Sequence, residues 1–213
     1  LFSYILGMLI ALLLNQDIRF RGVFRAIILA PWVVPPVVAT ITWSWLLNDK
    51  VGLINTVLQN IGMIQEPIYF LSDLTLVKGT VIAFGVWKSY PFMMITLLAG
   101  MQSIDGVLYE AAKIDGANEF QVFTKICIPI CKGVITTCAI LVFMDYWNMV
   151  EQPLLFFNDT DKYPLSIFLS KINAQEVGLA FAVATFYMIP SLLIFLYGED
   201  QLVEGIAYQG GVK

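Results

Sequence analysis

Ala26–Leu47 runs without a single charged side chain, and it contains Pro31, Pro35 and Pro36. A helix needs about 20 apolar residues to cross the roughly 30 Å hydrocarbon core of a bilayer. Inside that core every backbone donor and acceptor must be satisfied by the protein, because no water is available. A run of this length and apolarity therefore reads as a membrane span. Its three prolines remove backbone donors, which predicts a bend or break within it.

Four further runs follow the same rule: Leu1–Leu14, Gly79–Met101 with Lys88 and Pro91, Gly133–Val150 with Asp145, and Val177–Gly198 with Pro190. The expectation is an all-α, polytopic membrane protein of about five transmembrane helices. Tyr163–Ser170 is too short to span and reads as an interfacial or re-entrant helix. Composition agrees: of 213 residues 59% are hydrophobic and 13% charged, against about 25% charged in soluble domains. Mean hydropathy is +0.79. Leu1 opens inside an apolar run, so residues 1–213 are expected to form one domain that lacks an N-terminal part.

Several function classes are excluded at once. There is no His, so His-based metal motifs, Ser-His-Asp triads and His proton relays have no residue to use. Cys127, Cys131 and Cys138 lie near one helical face but form a poor ligand set, and read as small buried hydrophobes; no metal site is expected. A net charge of −4 gives no cationic field for nucleic acid. The chain has no GxxxxGK string and therefore no P-loop of its own.

Cytoplasmic loops carry the Lys/Arg excess. Arg19, Arg21 and Arg25 fall in one inter-span loop, Lys113, Lys125 and Lys132 in the loop two spans later, and Lys213 in the tail. Five crossings put these on one side, with Lys50, Lys78, Lys162 and Lys171 opposite. The loop of residues 102–132 and the C-terminal tail are thus expected in the cytoplasm. Trp43, Trp45 and Trp147 fit an aromatic belt at the outer interface. Asn48, Asp49 and the segment 60–73 then lie outside and read as a solvated loop or a surface for a partner.

The 102–132 loop is much longer than adjacent helices need. Ile104, Val107, Leu108, Ala111 and Ile114 recur at helical spacing, Gly116 breaks the pattern, and Asn118 with Gln121 has the spacing of a capping box that starts a second helix. The result is a helix–glycine–helix elbow. Its string EAAKIDGANEFQVFTKICIPI, Glu110 to Ile130, resembles the EAA loop of permease subunits in binding-protein-dependent ABC importers. That pattern is EAA, three residues, Gly, nine residues, then I-x-L-P. It falls here on Glu110, Ala111, Ala112, Gly116, Ile126 and Pro129, with Ile128 in place of the leucine and Gly133 where a second proline is common. RFRGVFRAIILAPWVVPPVVATITWSWLLNDKVGLIN and VWKSYPFMMITLLAGMQSI are similar to the corresponding regions of carbohydrate-type permeases, of the maltose and multiple-sugar kind.

The resemblance implies a type I ABC importer permease fold in the cell membrane. It also implies a second permease subunit, homologous or identical, two cytoplasmic ATPases and an extracytoplasmic solute-binding protein. ATP and Mg belong to the ATPases, the chain itself binding no cofactor and catalysing no reaction. The elbow, with Asp115 and Ala117 flanking its glycine, is the implied ATPase-coupling segment. Small Ala111 and Ala112 allow close approach, Glu110 offers a carboxylate, and Gly116 permits the reversal.

Ionisable groups at membrane depth usually face a cavity or a partner. Asp145, Tyr146, Trp147 and Asn148, with Trp87, Lys88 and Tyr90, combine acceptors with aromatic faces suited to sugars and are candidates for a substrate path. Two readings stay open for each cluster: pathway, or pairing and snorkelling near an interface. Gly85 and Gly100 read as points of close helix approach. The alternative function is an ion-gradient-driven secondary transporter, which should show acidic coupling sites at the midplane.

Overall fold

The computed structural model describes the chain apart from residues 17–18, 158, 173–175 and 211–213, and apart from the side chains of residues 113, 119, 201 and 204–210. Lys213 and Asn158 of a glycosylation-like Asn-Asp-Thr string, and the side chain of Lys113, thus lie outside the described residues. All regular structure among the described residues is helical: α1 (Phe2–Asn15), α2 (Arg21–Val33), α3 (Pro36–Leu46), α4 (Leu53–Asn60), α5 (Leu76–Gln102), α6 (Gly106–Ile114), α7 (Glu119–Val122), α8 (Ile128–Ile130), α9 (Lys132–Trp147), α10 (Glu151–Phe156), α11 (Leu165–Lys171) and α12 (Val177–Gly210).

Two helices, within α5 and α12, are long and apolar enough to cross a membrane, and the number rises to four if each of two broken pairs is one span. The pairs are α2 with α3, and 120–130 with α9. The five-span expectation counted Leu1–Leu14 as well. That run forms α1, an apolar helix of 14 residues. The break predicted from the prolines is present. α2 ends at Val33 and α3 begins at Pro36, with Pro35 as its extended N-cap. Pro91 and Pro190, by contrast, sit inside unbroken α5 and α12. The short segment around 163–170 is a three-residue 3₁₀ turn, Thr160–Lys162, followed by the seven-residue α11.

The chain forms two compact units. One comprises Leu1–Ala30, Ser89–Met144 and Ser191–Lys213; the other comprises Pro31–Lys88 and Asp145–Pro190. In the first, Ala11 and Leu14 of α1 pack with Met94, Leu97, Leu98 and Met101 of α5, and with Ile104, Ala112, Val122, Cys127 and Cys131 further along. Gly7 lets α1 lie directly on α5. A Cβ there would come within 2.7 Å of Met93 Cβ and 3.0 Å of the Met94 nitrogen and Tyr90 oxygen. Beside it the Ser89 hydroxyl donates to Ser3 Oγ at 2.9 Å, a buried polar pair between the two helices. Gly100, as expected, makes a close approach, a Cβ there falling 3.3 Å from Cys131 Sγ. All three cysteines are buried, and no group of three His, Cys, Asp or Glu suited to a metal exists among the described residues.

The second unit is built on aromatics. Phe84 meets Trp43 and Phe156 edge-on, each at 5.6 Å between ring centroids, and Trp87 closes the set at 5.4 Å from Trp43. Ala39 and Val77 complete this core. Beyond it the segment after α3, read as a solvated loop, is ordered by two polar side chains. Buried Asn55 of α4 donates to the Ile68 carbonyl and accepts from its N–H, both at 2.9 Å, as a strand partner would. Asp49 accepts from the Leu71 N–H at 3.3 Å and from the Ser72 hydroxyl. Asp73 then caps α5, accepting from Thr75 and Leu76 N–H at 2.8 and 2.9 Å. Those two donors hold its carboxyl below the usual range.

Gly7→Ala should therefore be disproportionately costly, because the atoms in the way are largely backbone. The expected loss is about 1–3 kcal/mol, the usual range for overpacking, seen as a lower melting midpoint of the purified protein. Gly178→Ala, where an added Cβ meets nothing within 4 Å, should not lower the midpoint, because alanine there gains helix propensity without a clash.

Candidate functional site: the elbow and the polar span residues

The elbow is assembled from local signals in the order of the chain. Asp105 starts α6, its carboxylate accepting from the Val107 N–H at 3.0 Å. The helix stops at Ile114 because Gly116 takes a φ of +76°, a left-handed conformation that costs glycine little. The Ala117 N–H then reaches back to the Ala112 carbonyl at 2.9 Å, the six-to-one bond of a Schellman C-cap. At the next residue, the Asn118 side chain accepts from Gln121 N–H and the Gln121 side chain accepts from Asn118 N–H, both at 2.9 Å. This is the reciprocal capping box anticipated from spacing, and it launches α7.

The second arm is wound wide. Phe123–Cys127 is a π turn, and the Ile128 N–H bonds the Phe123 carbonyl five residues back. Pro129 follows and has no N–H to offer the Lys125 carbonyl, so the ordinary ladder fails at this point. Cys131 breaks the path again before α9, at 71° between the 120–130 arm and α9. Tyr109 ties the two arms together: its hydroxyl donates to the Met101 carbonyl at 3.4 Å and lies 3.3 Å from Cys127 Sγ. Burial and the Cys127 contact push the Tyr109 phenol well above its usual pKa, so it stays a neutral donor.

This packing divides the motif residues into two sets. Ala112 is 8% exposed and belongs to the core with Val122 and Met101. Its small size serves the chain's own packing. Glu110, Ala111, Asp115, Gly116 and Pro129 are exposed, and Ala117 and Ile126 are half-buried. Around them an open groove of about 550 Å³ is lined by Leu108, Ala111, Asp115, Gly116, Gln121 and Lys125 among others. Large apolar side chains stand out beside it: Ile114 is 86% exposed, Phe120 73% and Val107 66%. Helical spacing singled out Val107 as part of the apolar stripe of α6, but not Tyr109. Tyr109, three residues before Ala112, shares its helical face and was legible on that ground.

Trp87 is part of the aromatic core. Tyr90 donates from its hydroxyl to the Ile28 carbonyl at 3.5 Å. Tyr146 packs on Gly85, where a Cβ would fall 2.7 Å from its ring, so Gly85 is a point of close approach as expected. Trp147 stacks on Tyr187 at 5.5 Å and donates from Nε1 to the Tyr187 carbonyl at 3.1 Å. The Tyr187 hydroxyl returns to the Trp147 carbonyl at 2.9 Å and to Asn148 Oδ1 at 2.8 Å. Tyr187 lies in an apolar run with nothing in the string to distinguish it. Lys88 donates to the carbonyls of Pro31 at 2.8 Å, Trp32 at 3.0 Å and Val34. Asp145 is solvent-exposed in the isolated chain and within electrostatic reach of Lys88.

Residues 3–203 match the family described as binding-protein-dependent transport system inner membrane component. The trehalose/maltose transport system permease protein MalF of Thermococcus litoralis is 41% identical over 199 residues, covering 89% of this chain and 66% of that protein. The chain thus spans about two thirds of that relative's length. A bacterial ABC transporter involved in the import of the acidic polysaccharide alginate aligns at a TM-score of 0.76 and 22% identity, over 98% of this chain and 73% of that one. A bacterial alginate ABC transporter in complex with alginate pentasaccharide-bound periplasmic protein aligns at 0.77 and 24%, over 93% and 71%. At these identities the two structures establish the fold alone.

Asn118→Ala removes one half of the capping box and should cost about 1 kcal/mol. The expected result is roughly fivefold faster hydrogen exchange at the Gln121 amide, with the α5 amides at Leu97 and Leu98 unchanged.

Proposed function

The chain belongs to the binding-protein-dependent transport system inner membrane component family, and on that premise we propose that it is the permease subunit of an ATP-driven importer for a saccharide. It sits in the membrane as a multi-pass subunit. A second permease completes the translocation path, two ATPase subunits carrying ATP and Mg dock beneath, and a solute-binding protein delivers the cargo from outside. The saccharide assignment is supported by the trehalose/maltose relative. The delivery partner is supported by the family, whose description is of binding-protein-dependent transport.

The observation that carries the coupling role is the exposed apolar tip of a rigid elbow. Ile114, Phe120 and Val107 cost free energy in water and regain it when covered, at about 25 cal/mol per Å² of apolar surface. Glu110 and Asp115 beside them add carboxylates for cations on a partner. The elbow's core residues, Ala112, Val122 and Cys127, are continuous with Met101 and Leu97 of α5. A displacement of the tip is therefore carried into the span rather than absorbed locally. Closing of nucleotide-bound ATPases would draw the elbow with them and select one access state of the permease. The Lys/Arg distribution supports a cytoplasmic elbow and tail.

For the substrate path we carry forward Asp145, which is exposed in the isolated chain, with Tyr146, Trp147 and Asn148 beside it and Trp87 and Tyr90 on α5. Asp145→Asn should raise KM for transport while leaving ATPase retention intact. An unchanged KM would remove Asp145 from the path.

Ala111→Asp tests the coupling role directly, since Ala111 is exposed whereas Ala112 is part of the elbow's own core. The full-length permease, expressed with its genetic neighbours, should co-purify with an ATPase, and the variant should retain roughly a tenth of it or less, as expected for an interface centre. A permease that inserts normally, retains no ATPase even unaltered, and takes up solute with an ion gradient would instead be a secondary carrier.

A further inference from the structure

We propose that Lys88 is a positioning residue. Its ammonium closes the proline break between α2 and α3, and it is not available as a ligand for the transported solute. In a helix the carbonyl of residue i accepts from the N–H of residue i+4. The donors for Pro31 and Trp32 would be residues 35 and 36, and both are prolines, which have no N–H. Lys88 Nζ donates to those same two carbonyls, at 2.8 and 3.0 Å, and to the Val34 carbonyl between the helices. An ammonium carries three N–H donors, and three carbonyls take them. It also brings a positive charge to the negative C-terminal end of α2. At membrane depth the alternative to such a cap is bare carbonyl oxygen in hydrocarbon, which costs several kcal/mol per group.

The same stretch of α5 grips the other side of the break. Phe84, one turn before Lys88, and Trp87, its neighbour, pack on Trp43 of α3. Aromatic packing holds α3, and the ammonium holds the carbonyls that α3's leading prolines leave unserved. This role rests on reading the chain as a membrane permease, but its stability readout does not depend on which solute is carried.

The test is a double-mutant cycle in the full-length permease. Lys88→Met removes the cap, and Pro35→Ala with Pro36→Ala restores the two missing N–H donors. In the wild-type background Lys88→Met should lower the melting midpoint by about 3 °C or more. In the Pro35→Ala/Pro36→Ala background it should cost less than half as much, because the carbonyls then have backbone donors. Lys88→Arg, which keeps charge and donors, should restore most of the loss. In the reconstituted transporter, Lys88→Met should depress the maximal rate by at least about tenfold, with KM within about twofold of wild type.

Equal costs of Lys88→Met in both backgrounds would overturn the proposal. So would an unchanged midpoint accompanied by a KM raised about tenfold or more, the signature of a lost solute contact. Should Lys88→Met fail to accumulate in membranes, its recovery in the triple variant supports the role and continued absence overturns it. If the protein carries no ATP-driven transport at all, the midpoints still decide the matter.

Discussion

A bilayer offers no water to a backbone that has lost its partner, and that single constraint governs where this chain is permitted to be irregular. The proline pair at 35 and 36 interrupts an uncharged span and leaves the Pro31 and Trp32 carbonyls without ladder donors. The chain meets the debt with one ammonium from α5. A charged residue that would otherwise be a liability at that depth becomes the cheapest available source of three donors at one point. The aromatic set of Trp43, Phe84, Trp87 and Phe156 surrounds the same region, so polar satisfaction and packing are achieved by one face of α5.

Where the hydrophobic effect cannot drive helices together, close backbone approach replaces it. Gly7 against Met93 and Met94, Gly85 against Tyr146 and Gly100 against Cys131 are three instances. At Gly7 two of the three nearest atoms are main chain, and the Ser3–Ser89 hydroxyl pair is buried alongside. The elbow obeys a different rule. It is organised by caps: Asp105, the Gly116 reversal and the Asn118–Gln121 box each satisfy helix-end groups locally. It can thus stay a rigid object while exposing Ile114 and Phe120, and rigidity is what lets a push at the tip reach α5.

Most of this architecture was legible in the residues. The apolar runs, the proline break, the glycine reversal and the capping box each depend on near neighbours in sequence, and each appears where its spacing put it. Less legible was the division of EAA into an inward Ala112 and an outward Ala111, since both are small and adjacent. The helix phase relative to Val122 and Met101 decides it. The count of spans also needed geometry, because whether each of two broken pairs is one span does not follow from apolar length alone. The segment after α3 looked like a solvated loop, and Asn55, an unremarkable residue in the string, turned out to order it by pairing with Ile68 across thirteen residues.

Sequence by itself determined the solvent this chain lives in, the helical class, the excluded chemistries and the elbow motif, because these follow from composition and short-range spacing. Tertiary structure decided which polar groups at membrane depth are already spoken for. Lys88, Trp147 and Asn148 stood open in the string between a solute path and structural pairing, and in the folded chain they make hydrogen bonds with Pro31, Trp32, Val34 and Tyr187. A side chain's donors and acceptors are fixed by its identity, but the partner that consumes them is fixed by distance, and distance between residues 34 and 88 is set only when the chain has folded.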